Sequence, residues 1–355
     1  MSIESIFPVP KLLNMQSVGL DISDRSVKYV SLKKTKNSVR INTYGRQEIP
    51  AGIVESGKII NKDALAEIIR SIVKKEKIPF TRVALPEEQI YLFTLSMPKV
   101  DPKEVATAIE LSLEEHIPIA PHESVYDYDL IKEDKEGYHF SVIATPFAAI
   151  NSYIELLEES GVTPLSFELE ACSLARAVFP QGSTDTVMLV DLGATRTGIS
   201  IVDSGSVVLT QTVEIGGYNV TKSLEKNLKI KEEEAEKLKR EFGMNFHEGK
   251  ESYLEAMAGV LSAIRDEINK VYIYWHTHAE EKQQNNKIKK IILCGGESLL
   301  KGFPEYISSS MGIPAELGNP WKNITDFSDY IPELSLEESV GYGTAIGLAL
   351  GDFET

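Results

Sequence analysis

Disulfides, a cysteine-based metal framework, a membrane span and a nucleic-acid footprint are all missing from this sequence. Cysteine occurs only twice in 355 residues. Cys172 lies in an apolar stretch and Cys294 just before Gly295, and both read as small buried hydrophobes suited to a reducing cytoplasm. No run approaches the roughly 18 to 20 apolar residues that a bilayer demands, and the start lacks a basic segment followed by an apolar one. Basic charge is in deficit, with 37 Lys and Arg against 53 Asp and Glu and a formal net charge of -16. No basic stripe is present to replace the counterions of nucleic acid, and anionic lipid head groups are repelled. Histidine is scarce as well. His276 and His278 flank Thr277 at a spacing that points them to different helix faces, so they read as surface residues rather than a metal site.

What is present begins with length and repetition. A chain of 355 residues is too long for one core and implies two lobes or several subdomains. One motif occurs twice: Val-Gly-Leu-Asp-Ile-Ser-Asp-Arg-Ser-Val-Lys-Tyr-Val at 18–30 and Met-Leu-Val-Asp-Leu-Gly-Ala-Thr-Arg-Thr-Gly-Ile-Ser at 188–200. Each copy is an apolar strand ending in Asp21 or Asp191, a tight turn of small or hydroxyl residues, and a second strand. One copy alone describes any β-hairpin. Two copies facing each other make a phosphate clamp, in which the turns present backbone N–H groups and the aspartates hold a hydrated divalent cation. Lys28 is open to two readings, a phosphate contact or a solvated side chain. A third element, Lys-Ile-Ile-Leu-Cys-Gly-Gly-Glu-Ser at 290–298, is a strand running into a Gly-Gly turn that lets a flat base or ribose lie on the backbone. A fourth, at 170–177, is a small-residue helix opening with Glu170.

In this order and spacing the four elements resemble the phosphate 1, connecting-helix, phosphate 2 and adenosine motifs of the actin, Hsp70 and sugar-kinase superfamily. The fold class implied is α/β, an actin-like (ribonuclease H-like) two-lobed ATPase fold. Strand, strand, Ser38–Ile49 strand, Lys62–Lys75 helix and Arg82–Leu85 strand open the first lobe. Residues 89–166 interrupt it with a β-α-β-β-α-β pattern, the split βαβ, ferredoxin-like order. An insert at this point resembles subdomain 1C of FtsA and PilM. The division expected on this resemblance is a tail at 1–16; subdomain 1A from 17–88, 167–185 and 336–355; subdomain 1C from 89–166; subdomain 2A from 186–229 and 288–335; and a helical subdomain 2B at 230–287. Within 2B, Leu254, Met257, Leu261, Ile264, Ile268, Val271 and Trp275 recur at three- and four-residue spacing, as in one long helix laid on a globular body or in a coiled-coil seam. Residues 337–350 read as a helix in which Gly341, Gly343 and Gly347 allow a close crossing with the Glu170 helix.

Within the superfamily, nothing marks the general base or substrate pocket of a sugar kinase. The run-out at Thr355 sets an expectation against an Hsp70 substrate domain or an FtsA membrane helix. The second loop, Asp-Leu-Gly-Ala-Thr-Arg-Thr, looks more like PilM than FtsA, and the chain is similar to the PilM family of type IV pilus assembly. By that resemblance Asp21 and Asp191 hold Mg2+ with help from Glu170, the three forming the catalytic set. Ser23, Asp24, Arg25, Ser26, Gly193, Ala194 and Thr195 cradle ATP phosphates, Gly216 and Gly217 form the turn after them, and Gly295, Gly296, Glu297, Glu236 and Lys239 border the adenosine. Asp24 departs from the pattern, because a carboxylate aimed at phosphates would repel them. The implied partners are the N-terminal tail of a PilN-like bitopic membrane protein, other pilus platform proteins and a second copy of the chain. The implied location is cytoplasmic, beneath the inner membrane, with at most slow ATP hydrolysis. An FtsA-like division protein and a type II secretion or competence ATPase are the alternatives.

Overall fold

The computed structural model describes residues 16–35, 38–245, 251–278, 287–324 and 330–353, apart from the side chain of His278. The tail at 1–16 therefore lies outside the described residues except for Gln16, as do parts of the expected 2B segment.

The first hairpin joins β1 (Val18–Ile22) to β2 (Ser26–Lys34), and β3 (Val39–Glu48) continues the meander. Helix α1 (Lys62–Glu76) starts where the Asn61 side chain accepts from Ala64 N, and it buries Leu65, Ala66, Ile69 and Ile72. It leads to β4 (Phe80–Leu85). The insert then brings β5 (Tyr91–Met97), α2 (Val105–His116), β6 (Ser124–Glu133) and β7 (Tyr138–Pro146), followed by α3 (Phe147–Glu159), β8 (Thr163–Leu169) and α4 (Glu170–Val178). The second lobe holds β9 (Thr186–Leu192), β10 (Thr197–Asp203), β11 (Ser206–Val213), α5 (Gly217–Leu228), α6 (Glu232–Phe242) and α7 (Glu251–His278). It ends with β12 (Ile288–Cys294), α8 (Phe303–Met311) and β13 (Ala315–Leu317), and α9 (Leu336–Val340) and α10 (Gly343–Leu350) return to the first lobe.

The two main sheets are copies in topology. One runs β8-β4-β1-β2-β3 and the other β13-β12-β9-β10-β11. In each, the Asp-bearing strand pairs antiparallel with the next strand and parallel with the strand on its other side. The registers agree too, with Asp21 opposite Lys28 and Asp191 opposite Gly198. Helices α4 and α10 lie between the sheets in a core that takes Val30 and Leu32 from one side and Val187 and Leu189 from the other. Their crossing is close because Gly347 has no side chain, and a Cβ there would run into the carbonyl of Ser173. The helix expected across 337–350 is broken at Gly341 and Tyr342 into α9 and α10. Outside the second sheet, α7 buries Met257, Leu261, Ile264, Ile268 and Val271 in that lobe's own core, so it is a long helix laid on a globular body.

The insert corrects one expectation. Its sheet has three strands in the order β5-β7-β6, not the four of a ferredoxin-like fold. β8 pairs in parallel with β4 in the first sheet, and α3 buries Tyr153, Leu156 and Leu157 against α1. Sequence order cannot reveal which sheet a strand joins, and in the first sheet Phe167 of β8 sits opposite the buried Val83 of β4. The insert's own core is Val105, Ile109 and Leu113 on Phe140, Val142 and Ala144.

Candidate functional site

A cleft of about 590 Å³ opens between the lobes, within the size range of a small-molecule site. It lies outside the carboxyl ends of β1, β9 and β12, where loops of a parallel sheet converge on ligands. Asp21, Ser23, Asp24, Arg25, Ser26 and Lys28 line it from the first hairpin, and Asp191, Gly193, Ala194 and Thr195 from the second. Glu170, Lys239, Gly295, Gly296 and Glu297 complete the expected set that reaches it.

Each loop is a closed turn. Ser23 N donates to Ser26 O at 2.9 Å, and Gly193 N to Arg196 O at 2.9 Å. Lys28 Nζ stands 3.3 Å from Asp21 Oδ2 across the ladder, paired with it at the cleft wall. Burial pushes the Asp191 carboxyl up and Asp21 adds to the rise, while Lys28 and Arg196 oppose it. Glu170 is pushed well up by burial, which the Arg196 guanidinium offsets and the carboxylates of Asp21, Glu87 and Asp191 reinforce. Glu87 is raised by burial too, so three carboxylates, Asp191, Glu170 and Glu87, face a space that disfavours their charge, an arrangement that a cation would relieve.

Asp24 does not aim at the cleft as a bare charge. Its carboxylate accepts from Ser56 N at 3.2 Å, Gly57 N at 3.1 Å and the Thr195 hydroxyl at 2.8 Å. The expected repulsion of phosphate is therefore reduced, and Asp24 ties the two loops together across the cleft.

Beside Asp191, Gly295 has φ +80°, and a Cβ there would collide with Asp191 Oδ1 and Leu192 O. Gly296 faces open space within 4 Å. This bare Gly-Gly floor fits a flat ring, and the hard oxygen donors of Asp21 and Asp191 fit a hydrated divalent cation. Among the described residues no group of three or more His, Cys, Asp or Glu could hold a metal ion.

Three expected cofactor residues do not line the cleft. A Cβ on Gly216 would come within 2.6 Å of the carbonyls of Gly193 and Ala194, and one on Gly217 would run into Glu297. Gly217 N and Tyr218 N donate to those carbonyls at 3.0 and 2.7 Å. The two glycines brace the second loop from behind and leave the α5 N-terminus no role toward phosphate. Glu236 is also set back, accepting from Thr221 Oγ1 at 2.7 Å and pairing with Lys239 and Arg240. Lys239 itself is buried, with Nζ 2.8 Å from Glu297.

Sequence reading missed Arg196, Glu87, Tyr44, Arg46 and Arg240, all of which line the cleft. Arg196 donates to Glu88 at 2.8 Å and to Glu170 at 2.9 Å. Glu87 accepts from Thr212 Oγ1 at 2.6 Å. A cation inside the second loop and a carboxylate just past the end of β4 were visible signals. Tyr44 and Arg46 had none, since β3 reads as an ordinary edge strand.

Two sheets of matched topology, hinged on crossed helices and each lending an Asp-bearing turn to one cleft, define an actin-like two-lobed protein. Residues 19–353 match the family model described as type IV pilus assembly protein PilM, and the chain belongs to that family. The cell division protein FtsA of Streptococcus pneumoniae serotype 2 (strain D39 / NCTC 7466) is 22% identical over 374 residues, 93% of this chain and 81% of that one. A solved chain of the PilM-PilN type IV pilus biogenesis complex superposes with a TM-score of 0.80 at 21% identity, over 96% of this chain and 100% of its own length. MreB5 of Spiroplasma citri bound to ADP gives 0.56 at 13% identity, over 92% and 94%. At such identities the solved structures establish the fold.

Proposed function

We propose that this chain is an ATP-binding switch of the type IV pilus inner-membrane platform, which takes Mg-ATP between its lobes and the N-terminal tail of a PilN-like membrane protein on its insert. The observation that carries the reading is the pair of Asp-turn hairpins facing one cleft with a bare Gly295-Gly296 floor. Asp21 and Asp191 hold the hydrated cation with Glu170 beside them, the turns at 23–26 and 193–195 take phosphate, and Glu297 and Lys239 border the adenosine. Bound Mg2+ would supply charge neutralisation between the lobes. The name of the solved PilM-PilN complex supports the partner.

Other platform proteins and a second copy of this chain are proposed as further contacts. No described helix is long and apolar enough to cross a membrane. The proposed location is the cytoplasmic side of the inner membrane, reached through the partner. Turnover is at most slow, on the order of once per minute against about 10 per second for typical enzymes. Isothermal titration of ATP with Mg2+ into the folded protein tests the reading. Saturable heat is expected, and its absence at millimolar ATP overturns the nucleotide claim.

A further inference from the structure

Arg196 is the sole cation in the second loop between Asp191 and Gly198. Its Nη1 donates to both carboxylate oxygens of Glu88, at 2.9 and 2.8 Å, and its Nη2 to Glu170 at 2.9 Å. Both acceptors belong to the first lobe. The neighbouring Thr195 hydroxyl is likewise taken by first-lobe Asp24. Asp24 and Glu170 of the cleft wall, and Glu88 just outside its lining, thus take the side-chain donors at the tip of the loop, and a guanidinium can donate to a carboxylate or to a phosphate.

The two acceptors differ in what release entails. Glu170 is deep in the cleft wall among other carboxylates. Glu88 is more exposed, at 22% of its side chain against 16% for Glu170, and returns to water more easily. Arg196 also lines the cleft. A Cβ on Gly57 of the first lobe would come within 2.8 Å of its Nη1, and Glu297 packs on Gly217 and Lys239 beside the Gly295-Gly296 floor. For a nucleotide with its base on that floor and its phosphates on the turn at 193–195, Arg196 is the side-chain cation that directly follows the turn.

We propose that Arg196 is the residue that distinguishes a nucleoside triphosphate from a diphosphate, exchanging Glu88 for the terminal phosphate. This rests on the reading that nucleotide fills the cleft. The exchange has a structural consequence. Glu88 sits in the turn Glu87–Gln89 that leads into β5, and Gln89 O accepts from the Thr145 hydroxyl of β7. Release of Glu88 frees the root of the insert when the triphosphate binds and not when the diphosphate does.

The test is calorimetry of Mg-ATP and Mg-ADP on the wild type, Arg196→Gln and Glu88→Gln, each first shown to melt cooperatively. Arg196→Gln is expected to lower the ATP-to-ADP affinity ratio by roughly tenfold or more, the worth of a charge-assisted hydrogen bond. Glu88→Gln removes the competitor, so ATP affinity should rise severalfold with ADP unchanged. Equal losses for both nucleotides in Arg196→Gln, or an unchanged ratio in Glu88→Gln, overturn the proposal and leave Arg196 as a tie between lobes. Glu88→Gln keeps its size and an acceptor, so it carries the test should Arg196→Gln fail to fold. Binding of neither nucleotide by the wild type defeats the cleft reading itself.

Discussion

At the scale of single residues, the cleft keeps in Asp191 a charge that works against the stability of the fold. Burial pushes the Asp191 carboxyl up, which means that the folded protein holds the ionised form less readily than water does. Removing that charge relieves the folded state, and removing the side chain takes a donor from the proposed cation. Asp191→Ala is therefore expected to melt at or above the wild-type temperature while its Mg2+-dependent ATP binding falls at least tenfold, an order-of-magnitude figure for a lost ligand. A parallel loss of melting temperature and binding would mean that Asp191 serves the fold. Gly295 is the opposite case. Its left-handed backbone and its place against Asp191 Oδ1 make it a condition of both the turn and the site. Gly-Gly after a strand can be read from sequence, but the contact with Asp191 cannot.

At the scale of elements, helices α5 and α6 are tied through Glu236, which accepts from Thr221 of α5 and pairs with Lys239 and Arg240. Burial raises the Glu236 carboxyl, but hydrogen bonds from Lys239, Thr221 and Arg240 outweigh it and bring it down to about 2, from an ordinary 4.5. A lowered carboxylate stabilises the fold above its unfolded value, and that contribution drains away as pH falls from 4.5 toward 2. The melting temperature of Glu236→Gln should lie below wild type at neutral pH, and the gap should close across that acid window. A gap that stays constant there would show that the tie acts through shape and not charge. The spacing of Glu236 and Lys239 was legible as a paired helix face. That it ties α6 to α5 and to Glu297 was not, because the direction of α6 depends on where α5 and Glu297 pack.

At the scale of the whole molecule, the insert has its own sheet and core and rests on the rest of the protein through Leu92, Ile143 and the Ser141 hydroxyl, which donates to Val207 O. Tyr91 pairs with Ala144 across β5 and β7, so the chain enters and leaves the insert at neighbouring positions, about 5 Å apart. Excising residues 91–144 behind a short glycine-serine linker should leave a cooperatively folding protein that still binds Mg-ATP but no longer captures a PilN-tail peptide. Peptide capture by the excised protein would remove the insert from the proposed partner site, and failure to fold would show that it is not separable. An excision of 89–166 drawn from the sequence pattern would also delete α3 and β8, which belong to the first lobe, and would test nothing about the partner.

The sequence by itself determined the repeated strand-Asp-turn-strand units, the small-residue helices and the Gly-Gly turn. Each is set by local rules: apolar strand runs, turn residues and the backbone freedom of glycine. From these the actin-like class, the two loops and the aspartates could be named. Tertiary structure alone decided that β8 joins the first sheet, that Gly216, Gly217 and Glu236 support the cleft from outside, that Asp24 is satisfied by Ser56, Gly57 and Thr195, and that Arg196 spans the lobes to Glu88 and Glu170. The physical reason is range. Strand partnership and side-chain pairing join groups far apart in the chain, and their energies depend on burial and on which partner arrives, neither of which is written in local residue order.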